Sequence, residues 1–155
     1  MVGKIDARID ELLIELPSAM PPVANYVPAV AAGDLLFIAG QICQWNGEHR
    51  FVGKLGHEFD YEQGQLAARL CGLNIIAQVR HALHGDLDRV VRCVRLGGFV
   101  NATPGFTDQS LVVNGCSDLM VQVFGEAGKH ARAAIGVASL PGGVAVEIEG
   151  LFQVK

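Results

Sequence analysis

Two long segments with helical periodicity alternate with strand-forming segments in this 155-residue chain. Apolar side chains recur at helical spacing over residues 61–84 and 107–127, and runs rich in Val, Leu and Phe lie before, between and after them. The predicted order is therefore strands, helix, strand, helix, strands. This order is typical of an α+β domain in which one sheet carries two helices on the same face.

The N-terminal part of the chain is predicted to add one helix and several short strands. A helix is expected over residues 4–16, where apolar side chains recur at helical spacing, and Pro17 is expected to end it. A proline-rich connector over residues 17–22 follows. The predicted strands are 26–30 and 35–42, joined by a turn at Gly33-Asp34, and a short strand near 50–52 that returns after the turn signal Asn46-Gly47.

The two long helices and the strand between them have recognisable start signals. Asp60 followed by Gln63 has the pattern of a capping box at the start of the first long helix. The inner face of this helix is predicted to contain Leu66, Leu70, Leu73 and Ala77, and the apolar surface is predicted to extend to Ala68, Cys71, Ile75 and Val79. A strand is expected over residues 89–101, with a kink at Gly97-Gly98, and Thr107 is expected to cap the second long helix.

The composition bears on assembly, because half of the residues are hydrophobic and only 18% are charged. A chain of this length fits one domain, here residues 1–155. No predicted element remains to cover the second face of the sheet, so we expect another copy of the chain to cover it. A compact monomer with few solvated side chains is the alternative.

Charge and cysteine usage restrict the partners and the compartment. The net charge is −4 without acidic or basic blocks, so neither nucleic acid nor a membrane surface is expected as the main partner. We expect no metal site, because the four cysteines are widely separated and His81 and His84 lack a third ligand at motif spacing. Charged residues interrupt the first residues where a signal peptide would be apolar, so a cytoplasmic protein with reduced thiols is expected.

The last 24 residues place charges among strand-forming apolar residues. They read as two strands around a turn at residues 140–143, with Arg132 in the first strand and Glu147 and Glu149 in the second. Such charges are costly unless they are paired, hydrogen-bonded or ready for a ligand. A hairpin would place Arg132 opposite Glu149 and Ala134 opposite Glu147, although a slip of one residue would break this pairing. A structural ion pair and a binding site both remain open.

The residues resemble the YjgF/RidA family, the reactive intermediate deaminases, over residues 23–154. The matching pieces are the segment 26–42, which ends in Gly40-Gln41-Ile42, the helical segment around Asn74, and residues 132–149. The spacing of 15 residues from Arg132 to Glu147, with Leu140-Pro141 between them, is the most specific part of this signature. The helix over 4–16 is additional to the family core.

The resemblance implies a chorismate-mutase-like fold and a homotrimer whose sheets form a central β-barrel, with three sites in clefts between subunits. Active members hydrolyse enamines and imines such as 2-aminoacrylate to 2-keto acids and ammonia, and the chemistry needs no cofactor. By position, Arg132 would grip the carboxylate of this small metabolite and Glu147 would hold or activate the attacking water. Tyr26, Gly40 and Asn114 would line the cleft, although the spacing of Asn114 to Arg132 differs by one residue from the family pattern.

Two positions depart from the family pattern. Ala39 stands where many active members have serine, and Ala134 stands where many have cysteine. Both changes make the pocket less polar without removing the carboxylate clamp, so a non-catalytic protein that binds a small 2-keto acid is the alternative. Ribonuclease activity, proposed for relatives, is disfavoured by the acidic charge and the lack of base-stacking aromatics near the arginines.

Overall fold

The computed structural model describes residues 2–22 and 24–155. Met1, the first residue of the expected domain, and Val23, the first residue of the expected family core, lie outside the described residues. The helices are α1 (Lys4–Glu11), α2 (Tyr61–Ala82) and α3 (Gln109–Phe124). The strands are β1 (Ala29–Ala32), β2 (Leu35–Ile42), β3 (Gln44–Trp45), β4 (Glu48–His49), β5 (Val90–Asn101), β6 (Ala131–Val137) and β7 (Val146–Val154). No helix in the described part of the chain is long and apolar enough to cross a membrane.

Five strands form one mixed sheet in the order β1-β2-β7-β5-β6. All neighbours in this sheet are antiparallel except β5 and β6, which run parallel. A parallel pair needs a crossover connection, and α3 supplies it. Strands β3 and β4 form a separate hairpin around Asn46-Gly47, with the return at residues 48–49 instead of the predicted 50–52. The fold is therefore α+β, as predicted.

Helices α2 and α3 cover one face of this sheet. Ile75 of α2 lies beside Gly150 of β7, and Val113 of α3 lies so close to Gly98 of β5 that a β-carbon there would collide with it. The alternate residues of β7 that face the helices are buried, whereas Glu147, Glu149, Leu151 and Gln153 point to the other face. In the described chain no helix packs on that other face, which we call the open face.

The start of α2 was predicted correctly, and its buried face was predicted in part, since Ala68, Cys71, Ile75, Ala77 and Val79 are buried. The capping box forms, because the Gln63 backbone N–H donates to Asp60 at 2.9 Å and the Asp60 N–H donates to the Gln63 side chain at 3.0 Å. Leu66, by contrast, is 58% exposed. The buried stripe follows small residues, since a β-carbon at Gly72 would meet the Leu119 side chain of α3. Close contact between α2 and α3 thus decides which face is buried.

Several element boundaries differ from those predicted. Helix α1 ends at Glu11 instead of residue 16, because the chain turns at Leu13, which has φ of +55° and is exposed. Strand β1 begins at residue 29 instead of 26. Helix α3 begins after Asp108 with no side-chain capping bond, so Thr107 is not its cap. The irregular ladder positions of β5 lie between residues 90 and 95, before the expected kink at Gly97-Gly98.

The predicted terminal hairpin is wrong, because β5 lies between β6 and β7. Arg132 pairs with Leu96 and Ala134 pairs with Gly98, both on β5. On the other side of β5, Glu147 pairs with Phe99 and Glu149 pairs with Gly97. The α3 crossover fixes β6 on the outer side of β5, so residues 138–145 form a crossing connection instead of a tight turn.

Candidate functional site

Arg132 is a half-buried cation without a counter-ion among the described residues. Its Nη1 donates to Ser117 Oγ at 3.0 Å, and its Nη2 donates to the Ser110 backbone carbonyl at 3.0 Å. No carboxylate of residues 2–22 or 24–155 lies within salt-bridge distance of this guanidinium. Two of its five N–H groups are occupied by neutral partners, so three remain for a ligand. This arrangement fits an incoming carboxylate.

Asn114 lies on the same face of α3 as the two serines that hold Arg132. Ser110, Asn114 and Ser117 are spaced four and three residues apart, which places them along one side of the helix. Ser117 Oγ and the Ser110 backbone carbonyl on this side of α3 both face Arg132 of β6. Ala134 lies two residues beyond Arg132 on β6 and packs against the core on the same side. The structure thus brings Arg132, Asn114 and Ala134 to one region.

Glu147 and Gly40 meet on the open face of the sheet. The ladder between β2 and β7 is irregular between Ile38 and Gln41, and Gly40 lies in this irregularity. A β-carbon at Gly40 would collide with the Glu147 carboxylate, so only glycine leaves room for it. Burial, and secondarily the charge of Glu149, raises the pKa of Glu147 above its ordinary value of 4.5. Glu147 therefore binds a proton more tightly than an ordinary carboxylate does.

Glu149 has a partner other than the one predicted. It forms an ion pair with Arg95 of β5, with 3.4 Å between Arg95 Nη1 and Glu149 Oε1. The two side chains are 47% and 48% exposed, so the pair contributes little to stability. Glu149 is thus held by Arg95, which leaves Arg132 free of both terminal carboxylates.

Within one chain, Arg132 and Glu147 cannot reach the same ligand. The Arg132 side chain contacts α3 on the helical face, whereas Glu147 points to the open face. Leu96 of β5 pairs with Arg132 of β6 on one side and with Gly150 of β7 on the other. Arg132 and Glu147 are therefore two strand spacings apart across the sheet and three residues apart along it. Strand spacings of about 4.8 Å and a rise of about 3.3 Å per residue place their Cα atoms roughly 14 Å apart.

Ala39 adjoins Gly40 on β2, and Tyr26 lies in the segment that leads into β1, the edge strand beside β2. Tyr26 is 51% exposed and lies in a bend before β1. The Ala39 N–H donates to the Pro28 carbonyl at 2.9 Å, which holds this bend beside the irregular position of β2. The structure places Ala39 and Gly40 on the strand next to that of Glu147, three strands away from Arg132. Their roles toward a ligand stay predictions.

Neither Ser117 nor His130 was among the predicted site residues. Ser117 Oγ lies 2.9 Å from His130 Nε2, and His130 Nδ1 lies 2.6 Å from the Gly128 carbonyl oxygen. The signal available in the sequence was the polar spacing of Ser110, Asn114 and Ser117 within an apolar helix.

The cysteines and histidines form no metal-binding group of three or more ligands in the described residues. All four cysteines are free and buried. A hydrogen bond with Cys71 lowers the pKa of Cys43 to about 7, whereas burial raises the pKa of Cys93 to about 12. Among the described residues, the thiols of Cys43 and Cys71 donate to the backbone carbonyls of Arg50 and Val146, and no thiol forms a hydrogen bond with Arg132 or Ser117.

Comparisons with known proteins agree with this architecture. A family model described as "YjgF/chorismate_mutase-like, putative endoribonuclease" matches residues 6–145. Protein TCP17 of Trypanosoma cruzi is 46% identical over 154 residues, which cover 99% of this chain and 96% of that protein.

Solved structures show the same fold. The crystal structure of Atu1372, a protein of unknown function from Agrobacterium tumefaciens, is 44% identical, with a TM-score of 0.91 over 97% of this chain and 92% of that chain. RidA from an Antarctic Psychrobacter species is 26% identical, with a TM-score of 0.59 over 90% of this chain and 94% of that chain. From the match of its sequence and fold, the chain belongs to the YjgF/chorismate-mutase-like family.

Proposed function

We propose that this protein hydrolyses small reactive 2-imino and enamine acids to 2-keto acids and ammonia. The observation that carries the proposal is the uncompensated guanidinium of Arg132, held by Ser117 and the Ser110 carbonyl with three N–H groups free. A planar fork of donors suits a carboxylate, which every 2-imino acid carries next to its reactive carbon.

Glu147 is the proposed water-holding group. Its raised pKa and its place beside Gly40 suit a carboxyl group that binds water and adjusts to proton transfer. Imine hydrolysis then needs a held substrate, a positioned water and charge stabilisation, which side chains supply without a cofactor.

The opposite orientation of Arg132 and Glu147 favours clefts between subunits as the place of reaction. Because one chain directs them to different faces of its sheet, a shared substrate requires Arg132 of one subunit and Glu147 of another. The open face also carries large apolar side chains, since Phe37 is 47% exposed and Ile135 is 49% exposed. Burying them against other copies in a homotrimer is favourable.

The test is release of ammonia and 2-keto acid from 2-aminoacrylate generated in place by a dehydratase. We expect wild-type protein to accelerate release over buffer, and Arg132→Ala to lose the acceleration. Arg69→Ala is the matched control, because Arg69 is a half-buried arginine of α2 whose Nη1 donates to the Gln122 side chain at 2.9 Å. Wild-type rates equal to buffer across short-chain and longer substrates would refute the proposal.

Binding without turnover is the second candidate, and Ala39 and Ala134 favour it. Their methyl groups supply no hydroxyl or thiol to the proposed cleft, while the clamp at Arg132 is intact. Calorimetry with a 2-keto acid separates the two candidates. Tight, Arg132-dependent binding together with no ammonia release would favour the binding protein, whereas absence of binding would exclude it.

A further inference from the structure

Arg132, Ser117, His130 and Gly128 form a continuous line of hydrogen bonds. Arg132 Nη1 lies 3.0 Å from Ser117 Oγ, which lies 2.9 Å from His130 Nε2, and His130 Nδ1 lies 2.6 Å from the Gly128 carbonyl. The short helical turn over Gly125–Gly128 holds that carbonyl in place. Gly128 itself is packed so closely against the Met120 backbone that a side chain would collide there.

The groups at the two ends fix the direction of this line. A guanidinium only donates, so Ser117 Oγ accepts from Arg132, and a carbonyl only accepts, so His130 Nδ1 carries a hydrogen. In neutral His130 the Nε2 atom is then an acceptor, and the Ser117 hydroxyl donates to it. Ser117 Oγ retains one lone pair, which is available to a water or ligand beside Arg132.

We propose that Ser117 and His130 form a proton relay that removes a proton from the attacking water and returns it to the leaving nitrogen. This inference rests on the proposed function and extends it to the transfer of the proton. A serine hydroxyl bonded to an oriented imidazole is an arrangement that accepts a proton through the hydroxyl. The relay lies beside Arg132, which holds the substrate carboxylate. In a 2-imino acid the carboxylate is bonded directly to the imine carbon, so the relay lies close to the carbon that reacts.

In the first half of the reaction, the water oxygen bonds to the carbon of the protonated imine (C=NH2⁺), and the C=N π pair moves onto nitrogen, which becomes a neutral amino group. One water proton passes to Ser117 Oγ while the serine proton passes to His130 Nε2, which leaves an imidazolium. In the second half, the proton returns through Ser117 to the amino nitrogen. The C–N bond then breaks with its electron pair on nitrogen, ammonia leaves, and the hydroxyl of the adduct loses its proton to solvent as the keto group forms.

The experiment compares Ser117→Ala and His130→Gln with wild type in the ammonia-release assay and in calorimetry with a 2-keto acid. We expect kcat to fall about 100-fold in both variants. The affinity for the 2-keto acid should stay within about twofold, because the Arg132 charge and its contact with the Ser110 carbonyl remain. Free imidazole should restore turnover to His130→Gly. Ser18→Ala and His81→Gln are the controls, since both residues are exposed and lie on other elements.

Three outcomes would overturn the relay. If Ser117→Ala or His130→Gln keeps the wild-type kcat, the relay is refuted and the proposed function is unaffected. Weakened 2-keto acid binding with unchanged kcat would show that the pair only holds Arg132. A wild-type protein that releases no ammonia ends both the proposed function and the relay. Folding of each variant is checked by thermal unfolding, and imidazole rescue in His130→Gly stands even where Ser117→Ala fails to fold.

Discussion

Replacing Gly40 with alanine is expected to separate activity in the proposed site from stability of the fold. The added β-carbon would collide with Glu147 Oε1 and lie 3.1 Å from Cδ and 3.3 Å from Cγ of the same side chain. Ordinary carbon contacts are about 3.5–4.0 Å, so the carboxylate has to move by roughly 1 Å. A displacement of this size at a catalytic group costs about 100-fold in rate.

The cost in stability is expected to be small, because the group that moves is the end of a flexible side chain. Alanine is more favourable than glycine in a strand by roughly 0.5–1 kcal/mol. Forcing Glu147 off its rotamer costs about 0.5–1.5 kcal/mol. These contributions nearly cancel, so the free energy of unfolding should change by no more than about 1 kcal/mol and Tm by about 2–4 °C.

Two other glycines provide matched controls. Gly105 has open space around its β-carbon position, so Gly105→Ala should leave both rate and Tm unchanged. A β-carbon at Gly98 would lie 2.6 Å from Val113 Cγ2 in the core, so Gly98→Ala should destabilise by about 1–3 kcal/mol. Ammonia release and thermal unfolding are measured on all three variants. Wild-type turnover in Gly40→Ala, or a loss of Tm as large as that of Gly98→Ala, would refute the reasoning.

Three further predictions concern binding, pH and the core. Arg132→Lys keeps the charge but loses the planar fork, so calorimetry should show about tenfold or weaker 2-keto acid binding; unchanged affinity would contradict a bidentate clamp. The pKa of Glu147 is raised in the folded state, so folding binds protons and stability falls as pH rises from 4.5 through the raised value. Glu147→Gln should therefore gain stability relative to wild type across that window in urea titrations, and a difference that is constant with pH would argue against the shift. Asn101 is 4% exposed, accepts from Lys54 at 2.7 Å and donates to the Val144 carbonyl at 3.1 Å. Asn101→Ala should cost about 2 kcal/mol, seen as a lower denaturation midpoint, and an unchanged midpoint would show that water replaces it fully.

Local patterns predicted much of the secondary structure. Strand β2 was predicted with both of its ends correct, and α2 was predicted to within two residues of its C-terminal end. The capping box at Asp60 succeeded because it depends on two side chains three residues apart. The buried face of α2 was predicted only in part, with Leu66 placed wrongly, because close packing of Gly72 against α3 is a contact between distant segments.

The sequence suggested residues for the candidate site but not their geometry. Arg132 and Glu147 were recognisable as charges on strands, and the spacing of 15 residues between them supported the family resemblance. The sequence could not show that they point to opposite faces, because a shift of one residue in register reverses the face of every side chain. The pairing of Ser117 with His130 was equally hidden, since it joins a helix to the start of a strand.

What the sequence by itself determined is the set of elements and the family, because helical and strand periodicities and the spacing of a motif are properties of neighbouring residues. Only the tertiary structure decided that β5 lies between β6 and β7. Strand order depends on pairing between segments that are distant in the chain, and here the α3 crossover placed β6 on the far side of β5. That placement separates Arg132 from Glu147 and Glu149 and leaves its guanidinium bonded to Ser117 Oγ and the Ser110 carbonyl.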